Sequence, residues 1–189
     1  KWTKRILTES VLHFASPSTF NDPFDCYVHF APSFSKKKLK KEHIVRLQQF
    51  MPQLNRSQRR AKASKDVKTA NSNKLLAQMK AGLQNSVNDL GVLSLSATDR
   101  NILLWSHYAA GHTGICLKFI ATSQTQFFNS AQQVNYSPNY PDINLLDPPK
   151  KQVEAFVLTK AIEWKYEEEW RIIDHDRGNG NRVFPEELL

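Results

Sequence analysis

The chain has 189 residues, of which 40% are hydrophobic, and its eleven Phe, five Tyr and four Trp supply enough apolar material for a packed core. No apolar run approaches the roughly 18 residues of a membrane-spanning helix, so we expect no membrane partner. Only two cysteines occur, Cys26 and Cys116, and no hydrophobic signal region follows Lys1. These features exclude a disulfide scaffold and predict a cytoplasmic protein.

The formal net charge of +8 is concentrated in one segment. Residues 36–80 hold fourteen Lys or Arg and only two acids, a net charge of +12 that leaves −4 on the rest of the chain. Because Lys and Arg neutralise phosphates without any sequence motif, this segment is a candidate for contact with nucleic acid. A solvated helical surface explains the same cations without a partner, and the segment lacks the interleaved aromatic residues of single-strand binders.

The opening segment predicts a helix, a strand and a polar loop. Apolar residues of 5–12 lie on roughly one face of a helix, and residues 13–16 have the pattern of a brief strand. The loop at 18–25 is dense in polar and ring side chains. Its Asp22 and Asp25 either satisfy backbone groups in a rigid turn or present acceptor oxygens to a ligand or metal.

The basic segment belongs to a longer stretch with helical patterning. Apolar residues repeat at three and four over 44–51 and again over 75–87, which predicts two helices. The polar stretch between them, residues 55–62, fits either a short solvated helix or a loop. We therefore expect a basic helical insert at 36–90. The core domain is then formed by residues 1–35 and 91–189.

Strands and helices are mixed after the insert. Alternating apolar residues at 91–96 predict a half-buried strand, and Asp99 is placed to cap a helix that reaches Tyr108. Residues 114–120 have the clearest strand pattern in the chain, and a helix is expected over 151–160. Because no regular βαβ order is present, we expect an α+β fold with a mixed, mainly antiparallel sheet and flanking helices.

Motifs for nucleotide and metal binding are absent, including the Walker loop, GxGxxG, GxSxG, HExxH and paired CxxC. His107 and His112 are five residues apart, which is the wrong spacing for two ligands on one helical face, so structural histidines are favoured over a zinc site. Trp105 and Tyr108, three residues apart, belong either to the core or to a pocket wall that stacks on a planar ligand.

Charged residues at 166–171 form the third candidate cluster. On a strand, Glu167, Glu169 and Arg171 project from one face, and two carboxylates held close suppress each other's ionisation. Such a set can bind sugar hydroxyls and stabilise a cationic transition state. On a helix, Glu167 and Arg171 would make an ordinary ion pair worth about 0.3–0.5 kcal/mol. The apolar pair at 172–173 favours the strand.

These stretches together resemble the bacterial family called domain of unknown function 2971. The motifs that carry the resemblance are FNDPFD at 20–25, GVLSLS at 91–96, LWSHYAxxHxGICLxF at 104–119 and WxYExEWRII at 164–173. The resemblance spans nearly the whole chain outside the basic insert. Family members usually begin with a short strand before the opening helix, so we expect this chain to be a trimmed fragment that lacks it. The resemblance implies an architecture more than an activity.

A second resemblance is to ADP-ribosyltransferase-like enzymes, in which a Ser-containing strand precedes a late Glu-x-Glu. Ser94 and Ser96 and then Glu167 and Glu169 fall in that order. This resemblance implies an NAD site, with nicotinamide packed on an aromatic ring and a Glu bonded to a ribose hydroxyl. A fixed carboxylate would stabilise the oxocarbenium-like charge that develops when the glycosidic bond breaks.

The same resemblance implies roles for particular residues. Glu169 is the expected catalytic carboxylate, Glu167 positions the acceptor or the ribose, and Arg171 and His107 complete the catalytic set. No metal is predicted. The expected NAD-binding residues are Asn21, Asp22, Asp25, Ser94, Ser96, Trp105 and Tyr108.

Three functions are consistent with the sequence. The first is an ADP-ribosyltransferase-like or NAD glycohydrolase enzyme of bacterial stress or defence, which acts on nucleic acid held by residues 36–80. The second is a metal-dependent nuclease or phosphodiesterase. Its ligands would come from Asp22, Asp25, His107, His112 and Glu169. The third is a non-enzymatic module that binds nucleic acid or another partner. Both enzyme hypotheses require the candidate residues to line one cleft.

Overall fold

The computed structural model describes residues 2–29, 36–69, 72–121, 126–141 and 147–185. Its opening unit is helix α1, Trp2–Glu9, followed by strand β1, Val11–Phe14. The expected helix over 5–12 is therefore three residues too long at its end. Ser10 has a φ of 48°, in the left-handed region, and this turns the chain so that Val11 becomes buried in a strand.

Three helices occupy most of residues 36–90. They are α2, Lys36–Phe50, α3, Arg56–Thr69, and α4, Ser72–Asn88. The polar stretch at 55–62, for which a helix and a loop were both open, starts α3. Asn55 and Gln58 exchange side-chain hydrogen bonds to each other's backbone N–H at 2.9 Å, the reciprocal arrangement of a capping box. That these residues form a separate domain stays a prediction.

The sheet that positions the candidate residues is antiparallel. Its strands are β2, Gly91–Ser96, β3, Gln132–Gln133, and β6, Glu169–Asp174, with β6 in the centre. In the register of β2 on β6, Ser94 lies opposite Arg171 and Ser96 lies opposite Glu169. The strand predicted at 91–96 is confirmed.

Two further strand pairs complete the described sheets. One joins β1 antiparallel to β7, Gly180–Val183, and the other joins β4, Asn135–Ser137, parallel to β5, Thr159–Ala161. A bridge between Ala15 and Val92 connects the β1 pair to the central sheet. The fold is α+β with mixed, mainly antiparallel strand pairing, as predicted.

Short helices flank these strands. They are α5, Ile102–Tyr108, α6, Gln126–Asn129, α7, Pro149–Val157, and a 3₁₀ helix at Ile162–Glu167. Asn101, not Asp99, caps α5, because its side-chain oxygen accepts a hydrogen bond from the N–H of Leu103 at 2.9 Å. Among the described helices, none combines the length and the apolar character needed to cross a membrane.

Residues 114–120 do not form the expected strand. Leu117 and Phe119 are half-buried while Lys118 and Ile120 are exposed, so the alternation is present. No described strand pairs with this segment. Phe119 instead packs its ring against Phe128, with centroids 4.8 Å apart. The alternation of half-buried and exposed residues that predicted a strand is therefore explained by side-chain packing, without hydrogen bonding to a neighbouring described strand.

The core has two apolar clusters that meet at β2. Val92 points into one cluster and Leu93 into the other, as alternate residues of a strand must. The first cluster joins α4 to α7 through residues such as Met79, Leu83 and Phe156. The basic helices therefore bury an apolar stripe against the body of the protein and leave most of their cations in solvent.

Candidate active site

A cleft of about 670 Å³ lies between β2, α5 and the loop at residues 19–25. This volume is within the range of about 300–1,000 Å³ typical of small-molecule sites. Its floor is charged, although none of the floor residues is more than 8% exposed. The floor consists of Asp25, Lys160, Glu167, Glu169 and Arg171. Buried charges on this scale require mutual pairing.

The backbone around Glu168 brings two carboxylates into the same space. Glu167 ends the 3₁₀ helix and Glu169 begins β6, while Glu168 between them has φ 46° and ψ 48°. This left-handed residue turns its own side chain to solvent and leaves Glu167 and Glu169 both buried. Glu169 and Arg171 share one face of β6, as expected. Glu167 does not lie on the strand and reaches the same floor from the end of the 3₁₀ helix.

Arg171 organises the floor and is 0% exposed. Its Nη1 and Nη2 donate to the two carboxylate oxygens of Asp25 at 3.0 and 2.5 Å, a bidentate pair. Its Nε donates to Glu169 at 2.7 Å, and Nη1 also reaches the carbonyl oxygen of Val157 at 2.7 Å. Because these partners come from a loop, a strand and a helix end, the guanidinium fixes three elements relative to one another.

Lys160, which the sequence analysis did not single out, is the second buried cation. Its Nζ donates to Glu167 at 2.5 Å and to Glu169 at 2.9 Å, and lies 3.6 Å from Asp25. Burial opposes its charge, but Glu169 and Glu167 together raise the pKa of Lys160 above its usual value. Lys160 therefore remains an ammonium ion that holds the carboxylates in place.

Tyr108 connects the floor to the opening of the cleft. Its hydroxyl donates to Glu167 at 2.7 Å and accepts a hydrogen bond from the side-chain nitrogen of Asn21 at 3.4 Å. Burial of the hydroxyl and its bond to Glu167 raise the pKa of Tyr108 to about 12, so the phenol stays protonated and keeps donating. The ring itself is half exposed and forms part of the wall.

The floor has a net negative charge, with three carboxylates against two cations. Burial raises the pKa of Glu169, but Arg171 and Lys160 lower it further, so that its carboxylate stays ionised. Burial also raises the pKa of the Cys26 thiol well above its usual value, and the thiol donates to Asp25 at 3.3 Å. Cys26 is therefore a neutral partner of the network and is poorly suited to act as a nucleophile.

The cleft gathers all but one of the residues predicted for the site. Its lining includes Asn21, Asp25, Ser94, Ser96, Trp105, His107, Tyr108, Glu167, Glu169 and Arg171. Asp22 is the exception, because it lines a second cavity. Ser96 has a clear structural contact, since its hydroxyl donates to the carbonyl oxygen of Glu167 at 2.7 Å. The cleft thus brings the candidate residues together, apart from Asp22 and, for the metal-dependent hypothesis, His112, which is absent from its described lining.

The histidines and carboxylates do not meet as a metal site within the part of the chain that the structure describes. His112 is absent from the described lining of the cleft, whereas His107 is part of it. Among the described residues, no group of three or more His, Cys, Asp or Glu has an arrangement that would hold a metal ion. In the floor, ammonium and guanidinium nitrogens occupy the positions beside the carboxylates.

Sequence reasoning missed Lys160 and Tyr136. Lys160 was placed at the end of a helix over 151–160, but α7 ends at Val157 and Lys160 lies on β5. The hydroxyl of Tyr136 accepts a hydrogen bond from the backbone N–H of Glu169 at 2.7 Å. The position of Lys160 close to the apolar pair at 156–157 could have indicated that this lysine is buried. Nothing near Tyr136 in the sequence predicts its contact with Glu169.

One known protein family is similar to the part of the chain that holds most of the floor of the cleft. Neither a curated protein nor a solved structure is significantly similar to the chain. Residues 104–172 match the model of the family described as "Protein of unknown function (DUF2971)". The matched range includes Tyr108, Lys160, Glu167, Glu169 and Arg171. It supports the resemblance to this family for the motif at 104–119 and for nearly all of the motif at 164–173, whereas the motifs at 20–25 and 91–96 lie outside it.

Proposed function

We propose that the chain is an ADP-ribosyltransferase-like enzyme that takes NAD as substrate and breaks the bond between nicotinamide and ribose in the cleft. The observation that carries the proposal is Glu167, a buried carboxylate at the base of an aromatic-walled cleft, held by Lys160 on one oxygen and by Tyr108 on the other. Breaking this bond develops positive charge on the ribose, and a fixed carboxylate stabilises that charge more than it stabilises the ground state.

Glu167 is better placed than Glu169 to receive a ribose hydroxyl. An ionised carboxylate accepts about four hydrogen bonds in total. Glu169 already accepts three, two from Arg171 and one from Lys160, whereas Glu167 accepts one from Lys160 and one from Tyr108. We therefore assign contact with the ribose to Glu167. Glu169 is assigned the role of a positioning residue that holds Lys160 and Arg171.

The walls of the cleft suit the other parts of the substrate. Trp105 and Tyr108 offer ring surfaces for the nicotinamide, since aromatic faces pack well on planar groups. Ser94 and Thr98 also line the cleft, and we assign their hydroxyl groups to ribose and phosphate oxygens. Among the described lining residues, the cations of the floor are already paired, so His107 is the side chain we assign to the diphosphate.

Release of nicotinamide from NAD tests the proposal directly. Glu167→Gln keeps the shape of the side chain but removes its charge, so we expect turnover to fall at least about a hundredfold. Glu168→Gln is the matched control, because Glu168 is adjacent in sequence but exposed, and its turnover should equal that of the unmodified chain. Nicotinamide is measured by liquid chromatography, and thermal unfolding confirms that each variant is folded.

Glu169→Gln separates positioning from direct contact. We expect it to weaken NAD binding, measured by calorimetry, and to lower the melting temperature, because Lys160 and Arg171 both lose charge compensation. If the unmodified chain neither binds NAD nor releases nicotinamide, the proposed function is wrong. Equal turnover by Glu167→Gln and Glu168→Gln would contradict the role of Glu167.

Nucleic acid is the proposed acceptor, on the basis of the exposed cations of α2 and α3. Arg56, Arg60 and Lys68 project into solvent from α3, and Lys36 and Lys41 do so from α2. Solvated Lys and Arg side chains attract phosphates without a base-specific motif. Salt-dependent binding of a short duplex tests this assignment.

A further inference from the structure

A second cavity, of about 350 Å³, shares Lys160 with the lining of the cleft. Its walls are unusually aromatic, with rings contributed by Phe24, Tyr27, Tyr140 and Trp164. Phe24 is 66% exposed and Tyr140 is 40% exposed, so large apolar rings surround the opening of the cavity instead of entering the core. Exposed aromatic groups clustered around a concave site are typical of ligand recognition.

The charged side chains in this cavity favour a cation. Two carboxylates line it, Asp22 and Glu163, and Lys160 is the cation among its described lining residues. Lys160 is already bonded to Glu167 and Glu169, whose carboxylates compensate its charge. A ligand in the cavity would therefore meet the uncompensated negative charge of Asp22 and Glu163.

Asp22 has the properties of a binding group. It is only 8% exposed, yet it lines the cavity, so its carboxylate is held within the protein surface. One oxygen, Oδ1, accepts a hydrogen bond from the backbone N–H of Phe24 at 2.9 Å. Within the described residues, the other oxygen has no hydrogen-bond partner, which leaves it available to a donor. A largely buried carboxylate oxygen gains substantially from a charged donor.

The aromatic walls distinguish between kinds of cation. The ammonium group of Lys80 donates a hydrogen bond to the hydroxyl of Tyr27 and lies 4.1 Å from the centroid of its ring, so a cation already contacts a ring of this group. A guanidinium is planar, stacks on aromatic faces and presents two parallel N–H groups to a carboxylate. A compact ammonium cannot do both at once, so the combination of rings and carboxylates favours a guanidinium.

We infer that this second cavity binds the guanidinium group of an arginine, with Asp22 as its carboxylate partner and the rings of Phe24 and Tyr140 as its walls. The ligand is either a free arginine-like compound or an arginine side chain within a peptide, since both present the same group. Because Lys160 is the one residue shared by the described linings of the two cavities, we expect a ligand here to leave the cleft open.

Calorimetry on the full chain tests this inference with a pair of probes that differ only in charge. N-acetylarginine amide carries the guanidinium, and N-acetylcitrulline amide replaces it with a neutral urea of the same shape. We expect the arginine probe to bind at least tenfold more tightly than the citrulline probe. A pentapeptide with arginine at its centre, compared with its citrulline counterpart, shows whether the flanking backbone adds affinity. Tighter binding of the peptide identifies a peptide ligand, and equal binding identifies a free compound.

Variants locate the binding to this cavity. Asp22→Asn retains an oxygen for the Phe24 N–H, so it should fold normally and lose at least tenfold in affinity for the arginine probe. Phe24→Ala removes an exposed ring and provides a second variant whose folding is not at risk. Asp176→Asn, an exposed acid outside both cavities, is the control and should bind like the unmodified chain.

Several results would overturn the inference. They are equal affinity for the arginine and citrulline probes, unchanged affinity in both Asp22→Asn and Phe24→Ala, and no binding of any arginine probe at millimolar concentration. Nicotinamide release by Phe24→Ala should match that of the unmodified chain, because Phe24 lines the second cavity and is absent from the described lining of the cleft. Failure of this inference therefore leaves the proposed function unaffected, and the reverse is also true.

Discussion

The cleft floor and the helices α2 and α3 are both densely charged, but they hold their charge in opposite environments. In the floor, Arg171 is 0% exposed and contacts two carboxylates, one from a loop and one from a strand. On α3, Arg56 and Arg60 lie in solvent. The net charge of +8, which comes from the helices, therefore says little about the part of the molecule where charge is fixed in position.

This difference has an energetic consequence. Removing one member of a buried ion network leaves its partners uncompensated at low dielectric, whereas an exposed charge is replaced by water and salt ions. Substitutions in the floor should therefore be severe and substitutions on the helices mild.

Arg171→Met should produce the largest loss. It leaves Asp25 and Glu169 without their guanidinium partner, and we expect the free energy of unfolding to fall by about 3–5 kcal/mol. Urea denaturation followed by circular dichroism measures the change. Arg60→Met is the matched control, with an expected change below about 0.5 kcal/mol. A loss under about 1 kcal/mol for Arg171→Met would contradict the proposed importance of pairing in the floor.

Acid should weaken the pair between the end of β6 and β7. Burial raises the pKa of Asp174, but the N–H of Arg177 and the guanidinium of Arg182 outweigh it and lower the pKa to about 2. A lowered pKa in the folded state stabilises the protein above the unfolded-state pKa of about 3.9, and this contribution disappears as the pH falls toward 2.

Comparison with Asp174→Asn measures this contribution. The variant should be less stable than the unmodified chain by roughly 2 kcal/mol at pH 6, and the difference should shrink between pH 4 and pH 2. Urea denaturation at several pH values provides the measurement. A difference that stays constant over this interval would show that Asp174 acts through its shape and not through its charge.

The ion pair between α2 and α3 should have an intermediate effect. Asp66 lies 2.7 Å from His43 on α2 and 3.5 Å from Lys62 on its own helix, and its side chain is 31% exposed. Asp66→Asn should cost about 0.5–1 kcal/mol in low salt and less in high salt. Lys62→Met breaks only the exposed pair and should cost about 0.3 kcal/mol. A larger cost for Lys62→Met than for Asp66→Asn would contradict this order.

The smallest effect on stability should come from the solvated cations. Replacing Arg56, Arg60 and Lys68 together by Gln should change the free energy of unfolding by less than about 0.5 kcal/mol. If these cations contact phosphates, affinity for a short duplex should fall. The slope of log binding constant against log salt concentration should also become shallower by about 0.9 for each contact removed.

A second triple variant controls for the lost charge. Lys118, Lys150 and Lys165 are exposed cations of the body, and their replacement by Gln removes the same formal charge. Duplex binding, measured by fluorescence anisotropy over a series of salt concentrations, should be weakened only by the helix variant. Equal weakening by both variants would mean that net charge alone attracts the duplex.

Local sequence patterns predict the parts of this molecule that depend on neighbouring residues. Alternation correctly placed Glu169 and Arg171 on one side of a strand, and apolar spacing correctly placed helices within 36–90. Asn55 and Gln58 have the spacing of a capping box, which could have predicted the start of α3 in spite of the polar composition around it.

The errors arise where a distant partner decides the structure. Residues 114–120 have the alternation of a strand, but sheet formation also needs a free edge, which one segment cannot reveal. The sequence predicts Lys160 as a surface lysine of a helix, because its three carboxylate neighbours are 7 or more positions away along the chain. Asp22 and Asp25 lie in one loop only three residues apart, yet they line different cavities, which their spacing does not predict.

The left-handed turn at Glu168 makes the site sensitive to chain length more than to side-chain identity. Glu168 itself faces solvent, so its side chain can change without touching the cleft, although the left-handed backbone disfavours β-branched residues there. Removing this one position would instead join Glu167 directly to Glu169, and adjacent residues of an extended chain face opposite ways. One of the two carboxylates would then leave the floor, with Lys160 losing a bonded oxygen. The one-residue spacing between Glu167 and Glu169, more than the side chain of Glu168, therefore keeps both carboxylates in the floor of the cleft.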